Sequence, residues 1–531
     1  MKTNKFISLF LLTIFIYCSA ESKAKFNSTS LLSSLLLLIG NTISNSSSST
    51  NADSNTNGNS GQSSATISAN TDSASLELVS KINHPFLNPY GIAVDSQDNL
   101  YVSYGCHFDR NGILDSFDNY LGFNYTNYPN NCTITEYKVL KFDKNGTYLG
   151  WIAKGSDGIS GFHSSSDTNP IIRQSFYPAY PSGNSWYPGE LNKIRSLYID
   201  TDDTLYVLEE YRIHKFSGTD HSFLGTLGHG CDANCMNLYN ESITLSDQAE
   251  LDFIQCFGQG DPNDQVLFST CYQAYLVTTN QAKNIKDQFF LSSVGGWHTN
   301  PKQVIATFVH PSLDMTKYME SPMLAQGISI YNNQIWVGYM RGSTSGDIRI
   351  FNKTTGIVEG WFGKTFQTDV YNVVLNSLYG YQDISNLSPN YRPVNSGIHS
   401  TSPGAFSAPR SHFWYNNLLY VADNLSDPVL TVFKKDGTIV NSRSHSLGDK
   451  PFTITVNKSG YVVASNMYTG VLEIYDPNLK TIGTFQLESP SIPNKWYPIQ
   501  SGGFAWDSNG YLYTTVTTKN EVHKYKLIIN Q

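Results

Sequence analysis

The chain has 531 residues, of which 13% are aromatic and only 15% charged, and its 34 Tyr and 28 Phe favour pleated, half-buried surfaces over helix faces. The net charge is −8, from 35 basic and 43 acidic residues, with no basic block. That balance argues against nucleic acid as a partner and mainly implies solubility.

Residues 1–17 read as an export signal. Lys2 and Lys5 precede an apolar run from Phe6 to Tyr17 that is too short to span a bilayer. Cys18 follows at once. The ending Phe15-Ile16-Tyr17-Cys18 resembles a bacterial lipobox, with Tyr17 where a small residue is usual. That resemblance implies lipidation of Cys18 and a membrane anchor, on the periplasmic side or at the cell surface. Cleavage after Ala20 is the alternative; it discards Cys18 and leaves a secreted chain. The sequon Asn145-Gly146-Thr147 also leaves a secreted eukaryotic origin open. Residues 18–74 are expected to form a flexible tether. They hold one short apolar patch, at 31–40, and then a stretch rich in Ser, Asn and Thr that buries too little surface to offset its ordering entropy.

Under either signal reading Cys18 leaves the disulfide pool, and Cys106, Cys132, Cys231, Cys235, Cys256 and Cys271 remain. An even set in an exported chain predicts disulfides. Cys106 and Cys132 flank one insertion and are expected to pair. The other four share an insertion at 229–322 and allow three connectivities. A zinc site built from those four is the alternative, although Cys231 and Cys235 are spaced loosely for it. The same insertion carries two weakly helical stretches, 244–255 and 272–289.

From residue 75 onward one grammar recurs about six times: short apolar strands separated by turns. It opens with Asn88-Pro89-Tyr90-Gly91-Ile92-Ala93-Val94-Asp95, a turn at 96–99, and Leu100-Tyr101-Val102. Its fourth copy runs Leu418-Leu419-Tyr420-Val421-Ala422, then a break at Asp423-Asn424, then 429–433, then the turn Lys435-Asp436-Gly437. Each unit is about 40 residues and four strands, lettered A to D from the axis outward, which predicts a propeller blade. The sixth unit has three clear strands, and 75–82 is expected to supply its fourth and close the ring.

These units resemble NHL repeats, on the pattern Pro-x-Gly-Ile-Ala-Val-Asp followed by Leu-Tyr-Val and a Phe- and Gly-terminated hairpin. The resemblance implies an all-β fold, a six-bladed β-propeller over 75–531. It says little of function, because this architecture serves enzymes, receptors and scaffolds alike.

Long insertions fall at 104–133, 152–190, 229–322, 364–403 and 488–501. All lie between strands B and C of a blade or between D and the next A. Both kinds of connection emerge on one face, so the added chain is expected to build a binding face there.

Aligning the units gives two rings at that face. The starts of strands A contribute Tyr90, Arg195, Gln326 and Arg410, with Phe452 and Gly502. The ends of strands B contribute Tyr104, Glu209, Tyr339, Asp423 and Asn466, with Val516. Arg195 with Glu209 and Arg410 with Asp423 read either as structural ion pairs or as a polar mouth, walled by Tyr90, Tyr104 and Tyr339, for a carboxylate, peptide or sugar.

Catalytic patterns are sparse. His214 and His523 occupy matching places on strand C and read as sheet residues. His412, beside Arg410, is the best lone candidate. Asp200, Asp202 and Asp203 read as a turn rather than a calcium loop, and Asp109, Asn111 and Asp115 match one only faintly. No phosphate loop, serine elbow or Cys–His pair stands out. The expected function is therefore non-enzymatic binding of a protein, peptide or glycan by a monomer that needs no cofactor. The alternative is a propeller lyase or lactonase-like hydrolase with calcium or zinc in its channel.

Overall fold

A computed structural model describes residues 73–86, 89–105, 137–168, 188–191, 194–209, 212–230, 294–299, 304–306, 323–341, 345–368, 374–378, 380–383, 391–393, 404–423, 430–443, 451–466, 470–487 and 501–530, with helical positions scattered over 241–281. Cys18, Cys106, Cys132, Cys231, Cys235, Cys256 and Cys271 lie outside the described residues, as do Asp109, Asn111 and Asp115.

The chain forms a six-bladed β-propeller. Blade one is an antiparallel sheet of Ile92–Val94, Leu100–Tyr104, Lys138–Phe142, Tyr148–Lys154 and Ser160–Ser164. Blade two runs Ile194–Ile199, Leu205–Glu209, Ile213–Phe216, Phe223–Gly230 and Val294–His298. Blade three runs Met323–Tyr331, Gln334–Arg341, Ser345–Asn352, Val358–Phe362 and Tyr381–Asp383. Blades four and five are four-stranded and begin at Pro409–Tyr415 and Pro451–Val456. The first strand of every blade packs on the first strand of the next, and the contact of Ile92–Val94 with Ser501–Trp506 completes the circle.

Closure follows the sequence expectation. Ser73–Ile82 pairs antiparallel with Glu521–Asn530, bringing Leu76 opposite Leu527 and Leu78 opposite Tyr525. The N-terminal end of the described chain thus becomes the outer strand of blade six, whose other strands are the last three of the chain. An unpaired edge at that point would invite intermolecular pairing.

The insertions are more regular than their composition suggested. Parts of them turn back along the outer edges of blades one, two and three and add a fifth strand to each, with Val304–Ala306 a sixth in blade two. The segment after blade three also forms a small sheet of its own from Thr365–Thr368, Val374–Leu378 and Tyr391–Pro393. A returning strand satisfies backbone groups that would otherwise line an open edge. Gln273–Thr278 within the largest insertion is helical, and Thr278 Oγ1 donates to the Ala274 carbonyl at 3.3 Å. Among the described residues, no helix is long and apolar enough to cross a membrane.

The hairpin turns explain why the strands stop where they do. Asp95, Asp143, Asn457, Asp476 and Asp507 each begin a turn and use side-chain Oδ1 to accept two backbone N–H groups, two and four residues on. These Asx turns hold the chain reversal that the Asp and Asn residues signalled. The hydrophobic core is divided between the blades. Clusters fill the spaces between blades one and two, two and three, three and four, four and five, and five and six. Each sheet therefore buries both faces, which is why strands such as Leu205–Glu209 are apolar and buried along most of their length.

Candidate functional site

In blades one, four, five and six the entry to strand A is fastened from strand B. Ser103 Oγ accepts the N–H groups of Tyr90 at 3.0 Å and Gly91 at 2.7 Å. Thr515 Oγ1 accepts those of Gly502 and Gly503, each at 3.1 Å, and donates to the Tyr90 carbonyl at 3.2 Å. Ser465 Oγ accepts the Thr453 N–H at 3.3 Å. In blade four the carboxylate of Asp423 does the same work, accepting Ser407 N–H at 2.7 Å and Ala408 N–H at 2.9 Å. These buried side chains satisfy backbone donors where the incoming loop is not yet paired in a sheet.

Three residues of the strand A ring come together. The charges felt by the Tyr90 hydroxyl are those of Arg195 and Arg410, and the Arg195 side chain hydrogen-bonds to it. Tyr90 belongs to blade one and Arg410 to blade four, which stand opposite in a ring of six. The charge of Arg410 therefore acts on a group of the opposite blade. Burial raises the Tyr90 phenol above its ordinary pKa, with the two arginines opposing, so it remains a neutral hydroxyl. Tyr90 is 3% exposed, whereas Arg195 and Arg410 are half-buried. Room for Tyr90 comes from Gly502: a Cβ there would lie 2.8 Å from the Tyr90 Cα and Cδ2. Gln326 stands on strand A of blade three and Asn466 at the end of strand B of blade five, but their side chains lie outside the described residues.

The strand B ring serves mixed purposes. Tyr104 is half-buried, with Lys138 Nζ 4.6 Å from its ring centre. Tyr339 is 1% exposed and packs between blades, under the Arg349 guanidinium at 5.1 Å, so its ring is part of the core. Arg349 in turn pairs with Asp347 at 3.2 Å. Glu209 is buried and meets His214 Nε2 at 3.2 Å. It also acts on the half-buried Arg212, whose pKa burial lowers to about 10 while Glu209 and Glu190 oppose the fall. Asp423 is committed to the backbone as described. Gln326 lies fourth in its strand and Tyr339 two residues before the end of its own, and the direction of each side chain depends on local twist and register, which the alignment does not carry.

His214, His523 and His412 are packing groups. His214 is fully buried, with Nδ1 2.8 Å from Thr226 Oγ1. His523 is fully buried and joins Tyr525 and Glu521. His412 is 3% exposed, and its Nε2–H donates to the Trp336 carbonyl at 2.9 Å across the boundary of blades three and four. Burial lowers its pKa to about 4, with the Trp336 hydrogen bond opposing, so the ring is neutral at pH 7.

The fold and site define a β-propeller in which a buried tyrosine of blade one feels the charge of arginines from blades two and four. No family model matches the chain, and no curated protein matches it. Among solved structures it is similar to virginiamycin B lyase from Staphylococcus aureus, at 10% identity over 86% of this chain and 100% of that one, with a TM-score of 0.36. It is also similar to the calcium-binding protein regucalcin from Agrobacterium tumefaciens, at 8% identity, over 85% and 95% of the two chains, TM-score 0.37. A gluconolactonase from Xanthomonas campestris gives 9% identity over 88% and 94%, TM-score 0.36. At these scores the likenesses carry no functional argument, and the fold stands on its own strand pairing.

Proposed function

We propose that the protein is an exported, membrane-anchored binding protein. On this reading it recognises a carboxylate-bearing ligand, presented on a protein, peptide or glycan, at the insertion-bearing mouth of its channel. The observation that carries the proposal is the hydrogen bond between Arg195 and the Tyr90 hydroxyl, with the charge of Arg410 acting on the same group. Guanidinium groups match carboxylates in geometry, and a neutral phenol beside them adds a donor. Partial burial strengthens such bonds by excluding water. Export and anchoring rest on the N-terminal signal and Cys18.

Peptide and glycan arrays probed with the full chain, and with Arg195→Gln and Arg410→Gln beside it, test this reading. Acidic members are expected to be enriched among wild-type hits and lost in both variants. Hits of neutral ligands retained by both variants would contradict it. Conversion of a hit rather than its retention would instead favour the lyase or lactonase-like alternative.

A further inference from the structure

The outer strands of blade one hold a cluster that the channel reading does not use. His163, on Ser160–Ser164, lies opposite Trp151 on Tyr148–Lys154, and the two rings stack at 3.8 Å and 7°. Stacking fixes the imidazole with its Nδ1 edge toward two carboxylates. Asp167 Oδ2 lies 2.8 Å from Nδ1, and Asp157 Oδ2 lies 3.9 Å from it. One ligand atom from each of the three residues can be chosen so that all lie within 4.8 Å of one another.

We propose that His163, Asp157 and Asp167 form a zinc site, with Nδ1 and one oxygen of each carboxylate as ligands and water in the remaining position. A tetrahedral zinc with bonds of about 2.0–2.1 Å spaces its ligands about 3.4 Å apart, within small side-chain shifts of what is seen. The donor set favours zinc over calcium or magnesium, which take oxygen ligands and gain little from an imidazole. Asp157 is exposed and leaves the site open to solvent and to an incoming ion.

Two further observations point the same way. The His163 side chain is 1% exposed, yet its Nε2 has no hydrogen-bond partner. Burial and the Trp151 stack hold the imidazole in place, and the unpartnered Nε2 shows that no other hydrogen bond fixes the ring, so its Nδ1 edge is set toward the carboxylates by packing. The backbone is also shaped to the cluster. A Cβ on Gly155 would fall 2.4 Å from His163 Cε1 and 2.6 Å from Asp157 Oδ1, so only glycine lets the ring and the carboxylate approach there. Asp157 Oδ1 accepts the Ile159 N–H at 2.9 Å, which holds the turn and leaves Oδ2 toward the ring. An ion bound there would lock the outer hairpin of blade one to the segment that follows it.

The test is a calorimetric titration of the chelator-treated full chain with zinc chloride, with tryptophan fluorescence recorded in parallel. The cysteines provide other zinc ligands, so the difference between chains is the readout. Asp157→Asn and Asp167→Asn are each expected to lose one binding event, or weaken it at least tenfold, and to lose the fluorescence change arising from Trp151. Asparagine at 157 keeps the side-chain oxygen that accepts the Ile159 N–H, so the turn is retained. Asp220→Asn, an exposed acid of blade two, should bind as wild type does. Zinc isotherms identical in wild type and both variants would overturn the proposal. So would calcium binding at these residues as tightly as zinc.

Discussion

Asp98 and Ser508 are 410 residues apart in the chain and meet twice: Ser508 N–H donates to Asp98 Oδ1 at 2.8 Å, and its hydroxyl to Oδ2 at 2.7 Å. They belong to the A–B turns of blades one and six, which the closing strand also joins. The same clamp recurs one blade on, where Asp203 accepts Ser96 N–H at 2.8 Å and its hydroxyl at 2.6 Å. Asp98 and Asp203 sit at φ of 64° and 60°, in the turn position that Gly460 and Gly510 fill in blades five and six. A left-handed backbone there favours glycine, but aspartate tolerates it and adds a link between blades. Asp98→Gly keeps the backbone comfortable and removes only the link. It is expected to cost about 1–2 kcal/mol, the worth of charge-assisted hydrogen bonds discounted for exposure. Urea unfolding of the two chains measures it.

The clamps make stability depend on acid. Burial pushes the Asp98 and Asp203 carboxyls up, but hydrogen bonds from Ser508 and from Ser96 and Gln97, with nearby lysines, hold both below the usual value. A carboxyl depressed on folding contributes stability that is full above its unfolded pKa of about 3.9. That contribution is lost as pH falls through the lower folded pKa. The gap in urea midpoint between wild type and Asp98→Gly is therefore expected to hold at pH 5–7 and to narrow below about pH 4. A gap that widened with acid would contradict the assignment.

His412 acts in a different window. Its folded pKa of about 4 lies below the ordinary value of 6.5, so the unfolded chain binds the proton first as pH falls. Its contribution to stability is full above pH 6.5 and is withdrawn progressively down to about 4, amounting to about 3 kcal/mol if the whole shift is expressed. Gln in its place can still donate to the Trp336 carbonyl but cannot titrate. Unfolding free energy measured from pH 4 to 7 should rise less steeply for His412→Gln than for wild type.

The closing strand is the third lever. Leu76 is 5% exposed and packs into the cluster between blades five and six. Leu76→Ala is expected to cost about 2–5 kcal/mol, the usual range for a buried leucine. Deleting 73–82 exposes the edge of Glu521–Asn530, and size-exclusion chromatography should then show oligomers rather than a slightly looser monomer.

Much of this fold was legible because strand, turn and blade repeat at short range. Leu100-Tyr101-Val102 and its equivalents are apolar because each blade is buried on both faces, and Asp143 and Asp436 mark hairpins through their own side chains. Even Leu76 was readable, since a sixth unit lacking a strand demands one. The site was only half legible. Arg195 and Arg410 lie in the first two residues of their strands A, and Tyr90 two residues before its own. The alignment could not show that Asp423 would turn to the Ser407 and Ala408 amides or that Tyr339 would enter the core. Ser103 and Thr515 went unnoticed because a lone hydroxyl in a strand has no spacing signature. His163 and Asp167 are four residues apart, but only the fold of the outer hairpin brings Asp157 to them. Asp98 and Asp203 did leave a signal: aspartate at a turn position where other blades have glycine.

The central claim is that Arg195 and Arg410 read negative charge at the channel mouth. The most direct measurement is a calorimetric titration of the full chain with oligogalacturonate and, separately, with its methyl ester, repeated with Arg410→Gln. The account requires the acid to bind at least tenfold more tightly than the ester and that preference to collapse in the variant. Equal binding of acid and ester, or a preference that survives Arg410→Gln, would contradict it.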